Sequence, residues 1–144
     1  MNKYVDIENA RGEEYRKLIT QIIEDDVCPF CEENLEKYHR EPIIRKTNFW
    51  ILTKNQNKYP GAKTHLVAIL RHHAKDLSDM KSGAMEDLID LFIWVQKHYK
   101  IKGGGFSMRF GETALSGASV KHLHAQFFEP EDLVTIFIGK SKKS

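Results

Sequence analysis

One stretch constrains this chain more than any other: Ser116 to Phe128, Ser-Gly-Ala-Ser-Val-Lys-His-Leu-His-Ala-Gln-Phe-Phe. As a strand, its side chains alternate between two faces. That places His122, His124 and Gln126 in a row on one face, with Leu123, Ala125 and Phe127 pointing the other way into a core. A row of polar groups on a half-buried strand costs free energy unless something uses it. Immediately upstream, Ser116, Gly117, Ala118 and Ser119 are small, so their backbone N–H groups can approach an anion as a phosphate cradle requires.

The bulk properties narrow what this motif can serve. A chain of 144 residues predicts a single domain, 1–144, long enough to bury a substantial core. A net charge of +2 is too small to argue for a nucleic-acid partner. The basic residues that gather at 140–144 read as a solvated tail. No apolar run has the length of a membrane span, and Met1 to Asp6 lacks the apolar region of a secretory signal, so a cytoplasmic protein is expected. The two cysteines stand as Cys28-Pro29-Phe30-Cys31. In a reducing compartment this spacing suits a metal site or a redox pair better than a structural disulfide, and a plain pair of free thiols is equally open. As a closed zinc site it would supply two of four ligands, and the other two would come from histidine.

Along the chain, Tyr15, Leu18, Ile19, Ile22 and Ile23 make one apolar stripe and predict a helix from Glu8 to Glu24. Strands are predicted over Glu41–Arg45, Asn48–Lys54 and Thr64–Leu70, the second and third joined by a loop ending in Pro60-Gly61. Ser82 is the expected N-cap of a long helix, Gly83 to Tyr99, with Met85, Leu88, Ile89, Phe92, Val95 and Tyr99 as its apolar stripe. Gly103-Gly104-Gly105 stops that helix and lacks the spacing of a nucleotide-binding P-loop. Two further strands, Gly105–Phe110 and Leu133–Ile138, flank the motif. Helix, strands, long helix, strands is the order of an α+β domain with a mainly antiparallel sheet.

Taken together, Gly117-x-Ser119-Val120-x-His122-x-His124-x-Gln126 resembles the signature of the histidine triad (HIT) superfamily of nucleotidyl hydrolases and transferases. Gln126 stands where the third histidine of the triad would be, the form found in the galactose-1-phosphate uridylyltransferase and dinucleoside-polyphosphate phosphorylase branches. Asn57-Lys58-Tyr59-Pro60, followed by His65-Leu66 and an apolar strand ending in Arg71-His72-His73, is similar to the nucleoside-binding hairpin of that family, and Arg109-Phe110-Gly111-Glu112 also matches. The likeness covers roughly residues 28–128. It implies a HIT-like fold, a five-stranded antiparallel sheet carrying one long helix and an N-terminal helix, and a homodimer joined through the long helices.

The resemblance also implies roles. Asn57, with Asn55 as its near alternative, would hold the ribose hydroxyls, although asparagine also shapes turns in its own right. Cys28 and Cys31 would hold a structural zinc completed by His122 and by His73, with His72 as the less favoured neighbour. His124 would be the nucleophile, its ring fixed by the carbonyl of His122. Ser119, Gln126 and the backbone near Gly117 would bind the phosphate. His65, inside a strand, reads as a structural residue. A neutral imidazole is a competent nucleophile at neutral pH. An amide donates a hydrogen bond but no proton, so Gln126 favours leaving groups that depart as stable anions. Lys121 and Glu112 are the other places to look for an acid. The expected function is therefore a nucleotide hydrolase or nucleotidyltransferase acting on nucleoside phosphates or dinucleoside polyphosphates through a nucleotidyl-histidine. The alternative is a non-catalytic nucleotide-binding or zinc-braced interaction protein.

Overall fold

A computed structural model describes residues 2–140, so residues 141–144 of the expected basic tail lie outside the described residues. The first helix, α1, spans Glu13–Asp25 and not Glu8–Glu24. Gly12 sits at φ +85°, a conformation that a helix cannot continue through. Ile7–Asn9 forms a separate 3-10 turn, whose first free N–H, on Glu8, is met by the side chain of Asp6 at 3.1 Å. Glu13 and Glu14 in the first turn of α1 suit its dipole, and Ile19 and Ile22 are its buried face. A second helix, α2 (Glu32–Tyr38), begins at the residue after Cys31 and was not expected. Only Leu35 and Tyr38 are buried along it, too few apolar positions to announce a helix by periodicity.

Five strands follow: β1 Ile43–Lys46, β2 Trp50–Lys54, β3 Ala62–Leu70, β4 Gly105–Met108 and β5 His124–Pro130. They form one antiparallel sheet in the order β1-β2-β3-β5-β4. This is the α+β architecture expected from the element order. Between β3 and β4 lies α3 (Ala84–His98). Its N-cap is Gly83 at φ +90°, with no side-chain cap, so Ser82 does not cap it. A last short helix, α4 (Thr113–Ser116), leads into the motif.

Period-two alternation divides the sheet. Trp50 and Leu52, Leu66, Ala68 and Leu70, and Ala125 and Phe127 face one side, where Leu88, Leu91, Phe92 and Val95 of α3 close the main core over them. The buried stripe of α3 is thus rotated from the expected one. Leu91 is inside, while Met85, Ile89 and Tyr99 are exposed. Ile51, Val67 and Ile69 face the other side under Leu35 and Phe30. His124 and Gln126 share that second face, because they alternate with Ala125 and Phe127.

Two strand expectations are corrected. Only the part from His124 onward is strand; Ser116 to Leu123 is a helix end and an irregular loop, paired with the N-terminal segment by an isolated Val5–Val120 bridge. This segment cannot join the ladder because its backbone is spent elsewhere: Lys121 N–H donates to Tyr4 O at 2.7 Å and Leu123 N–H to Ala74 O at 2.8 Å. Leu133–Ile138 is not a strand either. After Pro130 the N–H groups of Glu131 and Asp132 both bond Gly61 O, at 2.8 and 3.0 Å, turning the chain off the sheet. β5 already has β3 and β4 on its two sides. The segment becomes a strap across the second face instead.

Candidate functional site

The second face carries a cavity of about 990 Å³, at the upper end of the usual size for small-ligand sites. His124, Gln126, Ser119, Gly117, Asn55 and Asn57 all line it. A smaller cavity of about 490 Å³, beside β4 and the strap, contains none of these residues.

His124 opens β5, opposite Ile69 of β3. Its Nδ1 lies 2.8 Å from the carbonyl oxygen of His122, which only accepts, so Nδ1 carries the proton. Nε2 is left with its lone pair. The edge of Phe30 packs against the ring at a centroid distance of 4.9 Å and an angle of 90°. Burial, assisted by the charge of Arg109, pushes the imidazolium down to about 4, so the ring is neutral at pH 7.

Gln126 is buried, and its orientation is fixed by a relay from the β2–β3 hairpin. The backbone N–H of Tyr59 donates to His65 Nδ1 at 3.2 Å, so His65 Nε2 must carry the ring proton and donate to Gln126 Oε1 at 2.7 Å. Asn55 Nδ2 donates to the same oxygen at 3.3 Å. The Gln126 amide nitrogen, bonded only weakly to Tyr59 Oη at 3.4 Å, remains available to an acceptor in the cavity. Burial holds His65 down at about 4, keeping it in this neutral donor form. Asn55 is therefore committed on both atoms, since its Oδ1 also takes the Asn57 N–H at 2.7 Å, as a turn-shaping asparagine does. Asn57 is exposed at the cavity wall.

Ser119 Oγ is paired with Tyr15 Oη at 2.7 Å. Periodicity placed Tyr15 in the packing stripe of α1, and nothing in the sequence signals this bond across 104 positions. Burial raises the Tyr15 phenol, which stays protonated. The expected cradle of backbone N–H groups is mostly spent. Ser116 and Gly117 bond Glu112 O and Thr113 O at 2.9 and 3.0 Å, and Ala118 bonds Ser116 Oγ at 3.2 Å. Among the described residues only Ser119 of these four has its N–H outside that set. Neither Lys121, whose ammonium bonds Asn2 O at 2.6 Å, nor Glu112 lines the cavity.

Beside this site, Cys28, Cys31, His73 and His122 converge, with one ligand atom from each lying within 4.8 Å of the others. Cys28 Sγ is 3.4 Å from His122 Nδ1, Cys31 Sγ 3.4 Å from His73 Nδ1 and 3.8 Å from His122 Nδ1, and the two histidine Nδ1 atoms are 3.2 Å apart. A tetrahedron built on zinc–ligand bonds of about 2.3 Å to sulfur and about 2.05 Å to nitrogen has S–N edges of about 3.5 Å and an N–N edge of about 3.3 Å. The donor set and its spacing fit such an ion. His122 Nε2 donates to Leu70 O at 2.6 Å, which leaves Nδ1 as the ligating lone pair. Burial pushes His122 down to about 4, and burial beside Cys28 pushes Cys31 up to about 12, so paired thiolates there require a cation. His72 is not part of this cluster; its Nε2 is buried without a hydrogen-bond partner among the described residues.

The sequence matches no protein-family model and no curated protein. Its structure does have counterparts. The histidine triad nucleotide-binding protein from Candida albicans superposes with a TM-score of 0.61 at 17% identity, over 81% of this chain and 87% of that one. A HIT family hydrolase from Clostridium thermocellum gives 0.53 at 22% identity, over 72% and 91%. A Zn-bound histidine triad family protein from Mycobacterium smegmatis gives 0.55 at 14% identity, over 76% and 80%. The chain thus has the histidine triad fold, the fold that its motif resembles. Among the described residues no helix is long and apolar enough to cross a membrane.

Proposed function

We propose that this chain is a nucleotidyl hydrolase or transferase of the histidine triad class, acting on nucleoside phosphates or dinucleoside polyphosphates through a covalent intermediate on His124. The observation that carries this reading is the bond from His124 Nδ1 to the His122 carbonyl. It leaves a neutral, lone-pair-bearing Nε2 in a nucleotide-sized cavity. Nε2 would attack the α-phosphorus, forming an N–P bond as the bond from phosphorus to the bridging oxygen breaks. The leaving group departs with that electron pair as a phosphate or pyrophosphate anion. Ser119, held by Tyr15, and the Gln126 amide donate to the phosphoryl oxygens as charge shifts onto them. Water or another acceptor then takes the nucleotide and frees His124. Asn57 would hold the ribose diol at the cavity wall.

Cys28, Cys31, His73 and His122 would hold a structural zinc, which when bound neutralises the two thiolates and ties the α1–α2 junction to the ends of β3 and β5. None of its ligands donates to the phosphate. Phe30, inside the Cys28–Cys31 loop, then buttresses the His124 ring. The exposed Met85, Ile89 and Ile93 of α3, spaced by four, and Phe106 on the edge strand β4 support a homodimer that joins these surfaces.

The test is kinetic. His124→Ala should lower kcat on a dinucleoside polyphosphate by at least about 10³-fold, in the range expected for losing a covalent nucleophile, with its melting temperature within a few degrees of wild type. A variant that turns over at a near-normal rate would remove His124 as the nucleophile.

A further inference from the structure

The cavity is lined by four cations, Arg11, Lys58, Arg109 and Lys140, against Glu8 as the one carboxylate of its described wall. The ion pairs among the described residues, Lys37–Asp25, Lys46–Glu32 and Arg71–Glu32, involve none of the four. Two of these cations are instead held by one residue of the strap. Arg109 donates from Nε, at 3.1 Å, and from Nη2 to the carbonyl oxygen of Phe137. The guanidinium of Arg11 lies over the Phe137 ring, 4.4 Å from its centroid. Phe137 is itself half exposed, so no core packing explains its position.

The strap is anchored on either side of Phe137 by glycines. Gly61, at φ +87°, approaches Leu133 so closely that an added Cβ would stand 2.3 Å from its carbonyl oxygen. Gly117, at φ +81°, would place a Cβ 2.6 Å from Gly139 O, and Gly139 N–H bonds Ser116 O at 3.1 Å. Side chains are excluded at both anchors, so the strap is fixed at its ends. Between them it rests on two arginines through a neutral carbonyl and an aromatic face. These are weaker partners for guanidinium than an anion, which can take paired, charge-assisted hydrogen bonds.

We infer that Arg109 and Arg11 bind the polyphosphate leaving group of the substrate, and that Phe137 is a latch which both arginines hold until that group takes them over. This rests on the nucleotidyl-transfer reading and specifies its substrate class. Gln126 supplies no proton, so the bridging oxygen takes the electron pair of the broken P–O bond and leaves unprotonated, as an anion. A leaving phosphate chain needs cations near that oxygen, not an acid. Arg109 lines the same cavity as His124. A leaving group without phosphates has nothing to exchange for the Phe137 carbonyl.

The experiment compares a dinucleoside tetraphosphate with the p-nitrophenyl ester of the same nucleoside monophosphate, whose leaving group is a stable phenolate without phosphate. Arg109→Gln should lower the ratio of the two kcat/KM values, tetraphosphate over ester, about tenfold or more, and Arg109→Lys should recover part of it. Phe137→Ala keeps the carbonyl that holds Arg109 but removes the ring over Arg11, so it should lower KM for the tetraphosphate about two- to fivefold by freeing Arg11 alone. An unmoved ratio in Arg109→Gln, with both substrates still turned over, overturns the inference and leaves the nucleophile standing. Equal loss on both substrates, at a wild-type melting temperature, makes Arg109 a structural residue and overturns it as well. A rise in tetraphosphate KM in Phe137→Ala rejects the latch. Undiminished turnover in His124→Ala would instead reject the underlying reaction.

Discussion

Gln126 shows how far a single residue can be read without coordinates. The sequence identifies it, the spacing sets it on the face of His124, and an amide has no proton to transfer. Which end of the amide is left free toward the cavity was not legible. That depends on the Tyr59 backbone fixing the His65 tautomer, and so on a hairpin closed from a distant part of the chain. Tyr15 shows the same limit, since its hydroxyl reaches Ser119 only through tertiary packing. The geometry permits a sharp expectation. In Gln126→His the amide gives way to an imidazole, a group that can exchange a proton, which the amide cannot. The ratio of kcat/KM for a nucleoside phosphoramidate over that for a dinucleoside polyphosphate should rise at least about tenfold, the scale of a general acid. If wild type already prefers the phosphoramidate, or the ratio stays put, leaving-group choice is set elsewhere.

At the scale of elements, the sheet and the long helix were readable because β2 and β3 are apolar, β-favouring runs and α3 carries an apolar stripe at helical spacing. The pieces around the site were not. The helix α2 buries only two side chains, and the stretch before His124 has strand-like alternation that its backbone hydrogen bonds override. The alternation of Leu133, Thr135 and Phe137 similarly suggested a strand where no ladder partner is offered. The cluster of Cys28, Cys31, His73 and His122 joins three such pieces: the α1–α2 junction, the end of β3 and the approach to β5. Wild-type protein should contain one zinc per chain. Cys28→Ser should lose most of it and melt about 5–10 °C lower, a shift worth a few kcal/mol in a domain of this size. The drop stays moderate because none of the four ligands belongs to the main core under α3. Metal analysis and a thermal melt decide the matter; zinc-free wild type, or unchanged zinc in the variant, contradicts the assignment.

For the whole molecule, one sheet face is sealed by α3 and the other carries His124, with the Cys28, Cys31, His73 and His122 cluster beside it. This leaves the outer side of α3 with Met85, Ile89 and Ile93 uncovered, beside the edge strand β4. Such a stripe is apolar area that a second copy would bury. The double variant Ile89→Glu with Ile93→Lys should convert a dimer to a monomer in light scattering coupled to gel filtration, and a dimer that persists would move the interface elsewhere. The central claim is covalent transfer to His124, and it is tested most directly by mass. The intact protein is mixed briefly with a dinucleoside polyphosphate, quenched in denaturant at neutral or mildly alkaline pH to preserve the N–P bond, and weighed. One added nucleotidyl group per chain, located on His124 by fragmentation and absent from His124→Ala, is the predicted result. Products accumulating with no adduct in wild type at any quench time, or an adduct on another residue, would contradict the account.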